Sequence, residues 1–363
     1  MIAAATPVSI VQVISQTVRP LMQRYDIPGM AVGVVIGEQS YVVDRGVTSK
    51  ATRETVHPST LFEIGSVTKT FTATLASYAQ LTGALSLSDT VSADLPSLRG
   101  SAFDRVRLLN LGTHTAGGLP LQVPDNVTSD AQLISYLQHW KPSYPPGTHR
   151  VYSNVSIGLL GMIVAARMHG DFATAMQRTL FTPLGLRHTY INVPEAEMGN
   201  YAQGYTSKNL PIRMAPGELW AEAYGIRTTA GDLLQWLKDN MAMVPLDATL
   251  QRALIDTHTG YYDVEPITQD LIWEQYAYPV SLARLEDGNS ARILFDANPA
   301  IALNPPQPPH DAVLLNKTGS TNGFSTYVAF IPAKKIGIVL LANKNYPIPA
   351  RVATAYAILS KLR

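Results

Sequence analysis

Apolar residues recur at helical spacing near the start of the chain. In "VSIVQVISQTVRPLMQRY" (8–25), Ile10, Ile14, Val18, Leu21 and Met22 fall on one face. The spacing predicts a helix, with Pro20 kinking it or forcing an irregular turn because proline lacks an amide donor. Short apolar runs follow. "GMAVGVVIG" (29–37) and "YVVDRGV" (41–47) read as two strands joined by a short turn. A helix starts near Ser66 and ends at Gly83, a suitable C-terminal stop. From 84 to 190, helical segments alternate with Gly/Pro punctuation, and "VSIGLLGMIVAARMHG" (155–170) is the clearest helix. Residues 191–229 have weak periodicity. A loop of that length inside a domain is usually functional or disordered.

Residues 299–309, "PAIALNPPQPP", hold five prolines and read as a rigid extended connector, neither helix nor central strand. Then "AVLLNKTGS" (312–320), "TYVAFIP" (326–332) and "IGIVLLAN" (336–343) read as strands, the last two forming an antiparallel hairpin through "AKK". "PARVATAYAILSKLR" (349–363) closes the chain as a helix, with proline at its start and basic residues at its end. No internal repeat stands out. The pattern predicts an α/β fold of the α+β type: an antiparallel sheet flanked by N- and C-terminal helices, plus a mainly helical domain. The expected division is a discontinuous sheet domain of 1–83 and 190–363 and a helical domain of 84–189, with the active site at their interface.

Composition narrows the function. The 363 residues are 46% hydrophobic and 15% charged, enough for a large core. Net charge is +1 with no basic block, which argues against nucleic-acid binding. With no cysteine, disulfides, thiolate nucleophiles and cysteine-ligated zinc are excluded. The eight histidines are scattered and no HExxH run occurs, so no metal site is expected. The longest apolar runs are shorter than the roughly 20 residues that span a bilayer, so no membrane insertion is expected. "MIAAATPVSIV" lacks the basic region of an intact signal peptide.

Candidate chemistry starts at "FEIGSVTKTF" (62–71). On a helix, Ser66 and Lys69 share a face. A serine hydroxyl needs a base or a cationic setting to become nucleophilic, and a buried lysine supplies either. Alone, S-x-x-K is a weak motif. "VYSNVS" adds Tyr152 and Asn154 at i and i+2, on one side of an extended loop. "NKTGST" adds Lys317 at the end of a strand, with Gly319 permitting close approach of a ligand. The set S-x-x-K, S-D-N and K-T-G marks class A β-lactamases and penicillin-binding proteins; here the middle element is Y-S-N.

With these residues in place, the chain resembles a class C (AmpC-type) serine β-lactamase over nearly its whole length. The likeness runs from "YDIPGMAVGV" through "LFEIGSVTKTFTATL", "TAGGLPLQVPD", "PPGTHRVYSNVSIGLLG", "AEAYGIRTT" and "NKTGSTNGFSTYVAFIP" to "LLANKNYPIPARV". The resemblance implies hydrolysis of penicillins and cephalosporins through an acyl-serine, with no cofactor and no metal. It implies Ser66 as nucleophile, Lys69 as its partner, and Tyr152 as the tyrosine implicated as general base. Asn154 and Gln122 correspond to residues that hold the substrate's side-chain amide. Lys317, Thr318, Gly319 and Ser320 form the strand beside its carboxylate and oxyanion. Tyr224 corresponds to a wall aromatic, and Asn345 and Arg351 to polar residues near the carboxylate end. A periplasmic monomer acting on small-molecule β-lactams is expected.

Departures from the family pattern also stand out. Ile348 replaces a frequent asparagine and removes a hydrogen-bond donor. His114 replaces a common tyrosine. Ser153 replaces a frequent alanine and reads as a tolerated small residue. Glu274 is expected to contribute shape at most.

A phenol titrates near 10, so a phenolate at neutral pH needs about 4 kcal/mol of stabilisation. One ammonium about 4 Å away gives roughly 4 kcal/mol at an effective dielectric of 20. Lys69 and Lys317 therefore suffice before burial opposes them. A neutral Lys69 acting as base, with neutral Tyr152 relaying the proton, is also open. Backbone N–H groups of Ser66 and Ser320 are the expected oxyanion hole. Other uses of the same serine are a D-Ala-D-Ala peptidase, a carboxylesterase, or a β-lactam sensor acylated once. The matches around "AEAYG" and "YPIPARV" favour the lactamase.

Overall fold

The computed structural model describes residues 9–362, and among these nine strands form one antiparallel sheet. They are β1 (Gly29–Ile36), β2 (Gln39–Gly46), β3 (Gly260–Val264), β4 (Ile267–Gln269), β5 (Glu274–Ala277), β6 (Ile301–Gln307), β7 (Val313–Ser320), β8 (Ser325–Ile331) and β9 (Ile336–Ala342). Their spatial order is β6-β3-β4-β5-β7-β8-β9-β1-β2, so the two ends of the chain meet where β9 pairs with β1. The 326–332 and 336–343 segments form the expected hairpin, closed by a tight turn at Pro332–Lys334.

Alternation along the central strands builds a core on each face. In β9, Ile338 and Leu340 join Val18 and Val352, contributed by α1 (Ile10–Tyr25) and by the C-terminal helix Ile348–Lys361. Val339 and Leu341 of the same strand point the other way, toward Phe71 and Trp236. Both faces are covered, so β8 and β9 are buried along their whole length. The second face carries the helical layer: α2 (Thr68–Leu81), α3 (Leu108–Gly112), α4 (Asp130–His139), α5 (Asn154–Arg167), α6 (Trp220–Tyr224), α7 (Ala230–Asn240) and α8 (Ala248–Asp256). Helix α2 lies against α5, α6 and α8 and is buried nearly all round. The terminal helices α1 and α9 (Ile348–Lys361) pack against each other.

Local chemistry explains several boundaries. Ser9 caps α1 in a capping box with Gln12, at 3.2 and 3.1 Å. Helix α1 runs unbroken across Pro20, so the irregular turn expected there is absent. Pro20 is exposed, on the solvent side of the helix. Positions 8 and 363 of the expected terminal helices, like most of the segment read for a signal, lie outside the described residues. The proline-rich segment is not a connector: it is the edge strand β6, paired with β3 and irregular between Ala302 and Gln307. Pro305 and Pro306 fall in that irregular stretch, where no ladder donor is required. Among the described residues no single helix is long and apolar enough to cross a membrane.

One backbone contact locks the sheet to the helical layer. The end of β7 abuts the tight turn Gly65–Val67 that precedes α2. A side chain on Gly319 would place its Cβ 1.9 Å from the Ile64 carbonyl oxygen. Gly65 has φ +51°, and a Cβ there would meet the Ser320 amide nitrogen at 2.5 Å. Gly319→Ala must push the turn and strand apart. We expect chemical denaturation to report a loss of about 2 kcal/mol or more.

Asp270, in the β4–β5 connection, is fully buried and neither carboxyl oxygen has a partner. Burial raises its pKa well above the ordinary carboxylate range. The folded state therefore keeps a proton that the unfolded chain releases near pH 4, and stability falls as pH rises above that point. Asp239 and Glu222, each pushed up to about 7 chiefly by burial, act in the same direction. Asp270→Asn should match the parent protein in thermal melting near pH 4. At pH 8 it should melt a few degrees higher; equal midpoints at pH 8 would contradict the assignment.

Candidate active site

Ser66 sits in the Gly65–Val67 turn and is half-buried; Lys69, in the first turn of α2, is fully buried. The Lys69 Nζ donates to Ser66 Oγ at 2.9 Å and to the Ala223 carbonyl at 2.7 Å. The i, i+3 spacing thus becomes a direct contact, with α6 supplying the second acceptor. Tyr152 lies just before α5 and is buried. Its ring is surrounded by cations: Lys317 Nζ at 5.1 Å from the centroid, Lys69 Nζ at 5.2 Å and the Arg150 guanidinium carbon at 5.6 Å.

This charge set shifts the pKa values of its members. Burial pushes the Tyr152 phenol up, but Lys317, Lys69 and a hydrogen bond with Ser66 outweigh it, and the net pKa lies below that of an ordinary phenol. Lys69 is pulled down to about 8, first by burial and then by Lys317, with Tyr152 pulling the other way. Glu274 is the counter-ion. Its Oε1 accepts from Arg150 Nη2 at 3.1 Å and lies 3.5 Å from Lys317 Nζ, with all three side chains buried. Glu274 is therefore an ion-pair partner of the site and more than a contributor to shape. Arg150 is held further by Gln269 Oε1 at 2.5 Å and the Ile293 carbonyl at 2.7 Å. Sequence reasoning missed Arg150 and misjudged Glu274 because no local motif links them: β5 pairs Glu274 with Asn316, next to Lys317, only in the folded sheet.

Lys317, Thr318, Gly319 and Ser320 form the end of β7. The Lys317 ammonium also approaches the Thr318 carbonyl at 3.4 Å. The backbone nitrogens of Ser66 and Ser320 both border the Gly65–Gly319 contact. Arg351 lies beneath this strand end, 1% exposed, so it is no free surface cation. It donates to the Gly319 carbonyl at 2.7 Å, to Ser320 Oγ at 2.8 Å and to the Tyr346 carbonyl at 3.1 Å. Asn345 is half-buried and donates to the Thr321 carbonyl at 3.0 Å. Ile348 packs its side chain on the apolar cluster under the terminal helices.

On the other side, Gln122 and Tyr224 line one cleft of about 470 Å³ with Asp125, Thr128, Gly217 and Glu218. Asn154 is the first residue of α5. Its backbone N–H donates to the Leu121 carbonyl at 2.9 Å, and its side-chain Oδ1 is buried without a protein partner. Ser153, read as a tolerated small residue, has a definite task. Its Oγ accepts the Ser156 amide at 3.0 Å as N-cap of α5 and donates to the Pro120 carbonyl at 2.6 Å. A serine immediately before the apolar run was the available signal. Among the described residues no His/Asp/Glu group has the arrangement of a metal site.

Comparison with known proteins agrees with the fold. The family model described as "Beta-lactamase" matches residues 14–363. A β-lactamase from Pseudomonas fluorescens is 50% identical over 351 residues, 97% of this chain and 98% of that one. The crystal structure of a D-alanine carboxypeptidase AmpC from Burkholderia cenocepacia superposes with a TM-score of 0.93 at 56% identity, covering 97% of this chain and 98% of that one. A class C β-lactamase solved in complex with cefoxitin gives 0.95 at 49% identity, with 97% and 98% covered. Fold, site geometry and relatives converge, and the chain belongs to the β-lactamase family, among its class C serine enzymes.

Proposed function

We propose that the protein hydrolyses the β-lactam amide bond of penicillins and cephalosporins through an acyl-enzyme on Ser66. The observation that carries this is the 2.9 Å contact of Lys69 with Ser66 beside a phenol of lowered pKa. Ser66 Oγ attacks the lactam carbonyl carbon, and its proton passes to the Tyr152/Lys69 pair. The amides of Ser66 and Ser320 receive the developing oxyanion. The C–N bond then breaks, and the pair returns the proton to the departing nitrogen. Water attacks the ester next, giving its proton to Tyr152, and Ser66 regains its own.

In this reading Asn154 and Gln122 hold the acyl side-chain amide, and Tyr224 forms the wall of that arm. Lys317, Thr318 and Ser320 face the carboxylate, with Gly319 letting the strand come close. Asn345 supports that end, and Arg351 acts through Ser320, since its own donors are already engaged. The site lies between the sheet portion (1–83 and 190–363) and the helical portion (84–189). We place the enzyme in the periplasm as a monomer, on the family resemblance.

A second reading, D-alanine carboxypeptidase, is favoured by one observation: the 56% identical Burkholderia cenocepacia structure carries that name. Acyl-enzyme lifetime separates the two. A chromogenic cephalosporin should be turned over by the parent protein, and Ser66→Ala should lower turnover by more than about 10³-fold. A penicilloyl adduct that persists for hours by mass spectrometry, with no turnover, would replace the lactamase by the peptidase.

Glu274→Gln tests the charge set. Glu274 raises the proton affinity of both Lys69 and Tyr152, so its neutralisation lowers both. The acidic limb of the kcat/KM profile should move to lower pH. Stability should fall by about 3–5 kcal/mol, because Lys317 and Arg150 lose a buried partner. An unmoved limb would show that Glu274 does not set the site's protonation.

A further inference from the structure

His114 stands in the turn after α3, with φ +59° and 1% exposure. It holds Tyr152 through three contacts, one to the phenol ring and one to each neighbouring residue. Its carbonyl accepts the Val151 amide at 2.9 Å. Its Nδ1 lies 3.3 Å from the Ser153 amide nitrogen and accepts that hydrogen bond. Its ring rests against the phenol ring, with centroids 4.5 Å apart and planes inclined by 48°. One residue thus holds the chain on both sides of Tyr152 and packs on the side chain between them.

The bonding fixes the protonation state. An imidazole that accepts at Nδ1 carries its proton on Nε2, and Nε2 is buried without a partner. An imidazolium would set an N–H against the Ser153 N–H. Burial disfavours it further, as do Arg150, Lys69 and Lys317, the cations facing it. Glu274 is the anion of that neighbourhood, and it is already shared by Arg150 and Lys317.

We propose that His114 is the positioning residue of Tyr152. Its neutral imidazole and main-chain carbonyl hold residues 151–153 so that the phenol stays between Lys69, Lys317 and Ser66. The proposal rests on the reading of Tyr152 as the proton-transfer group. It predicts that loss of the Nδ1 acceptor lets the phenol drift from the cations, which lowers kcat and raises the pKa of the acidic limb.

Two substitutions separate this role from general packing. His114→Asn tolerates positive φ and offers an acceptor near the Nδ1 position. His114→Gly tolerates the same φ but offers none. Both are measured with Tyr152→Phe as reference, using a chromogenic cephalosporin across pH, with thermal melting alongside. His114→Gly should lose roughly 10- to 100-fold in kcat, with the acidic limb displaced upward. His114→Asn should keep the parental limb and remain within about fivefold of parental kcat.

Parental kcat and limb in His114→Gly would overturn the proposal, and so would equal damage in both variants at parental melting temperature. If the glycine variant does not fold, the asparagine variant decides alone: a displaced limb at parental melting temperature rejects the role. A fully active Tyr152→Phe enzyme overturns the reading of Tyr152 and the proposal with it. An inactive one beside an unaffected His114→Gly rejects only the role of His114.

Discussion

The site depends on an imbalance of buried charge. Lys69, Lys317 and Arg150 are all fully buried around one phenol, and Glu274 is the carboxylate that answers them. With the lysines protonated and Tyr152 neutral, these groups carry three positive charges and one negative. Ionising the phenol or deprotonating Lys69 each reduces the surplus from two to one. Burial is the larger cause for Lys69 and opposes the shift of Tyr152, but the surplus pulls both pKa values down. Phenolate with ammonium and phenol with amine are two microstates of one titrating group. The choice between Tyr152 and Lys69 as base is a question of how one proton is distributed.

A surplus of this kind is costly to bury, and the fold meets the cost with rigid contacts. Lys317 stands on a strand buried on both faces, and Lys69 on a helix enclosed by α5, α6 and α8. The strand end is held from beneath by Arg351 and from the side by the Gly65–Gly319 contact. Neither element can relax to bring water to its cation without breaking the packing that joins the sheet to the helical layer. Electrostatic preorganisation here is a consequence of that packing.

The sequence displayed the parts of this arrangement that are local. Ser66 with Lys69, Tyr152 with Asn154, and Lys317 with Gly319 are short motifs, and the strands carrying them are continuous apolar runs. It concealed what arises only when distant segments meet. Strands β3 to β5 are short and polar, as in "ITQ" and "EQYA", so their pattern gave no strand signal. They deliver Glu274 to Lys317 and Gln269 to Arg150. The proline-rich edge strand was misread for a related reason: an edge needs few amide donors, so proline composition does not forbid it. Arg351 reads as an exposed helix-start cation by position alone, yet it is engaged by the carbonyls of Gly319 and Tyr346.

The same charge arithmetic ties substrate binding to catalysis. In the proposed reading, a β-lactam carboxylate bound beside Lys317 would add one negative charge to a set whose surplus is two. The proton affinity of the Tyr152/Lys69 pair must then rise, because less positive charge opposes protonation. In the free protein the surrounding cations weaken the pair as a base. In the proposed complex the bound anion would make it a stronger one. Linkage requires the reverse as well: the deprotonated pair repels the substrate anion more than the protonated pair does. Affinity for the anion and basicity toward the serine thus compete for the same surplus. Arg351 keeps its own charge engaged by Ser320 and the carbonyls of Gly319 and Tyr346, and Ile348 adds none, so in the proposed reading the contest at the carboxylate end would fall mainly on Lys317.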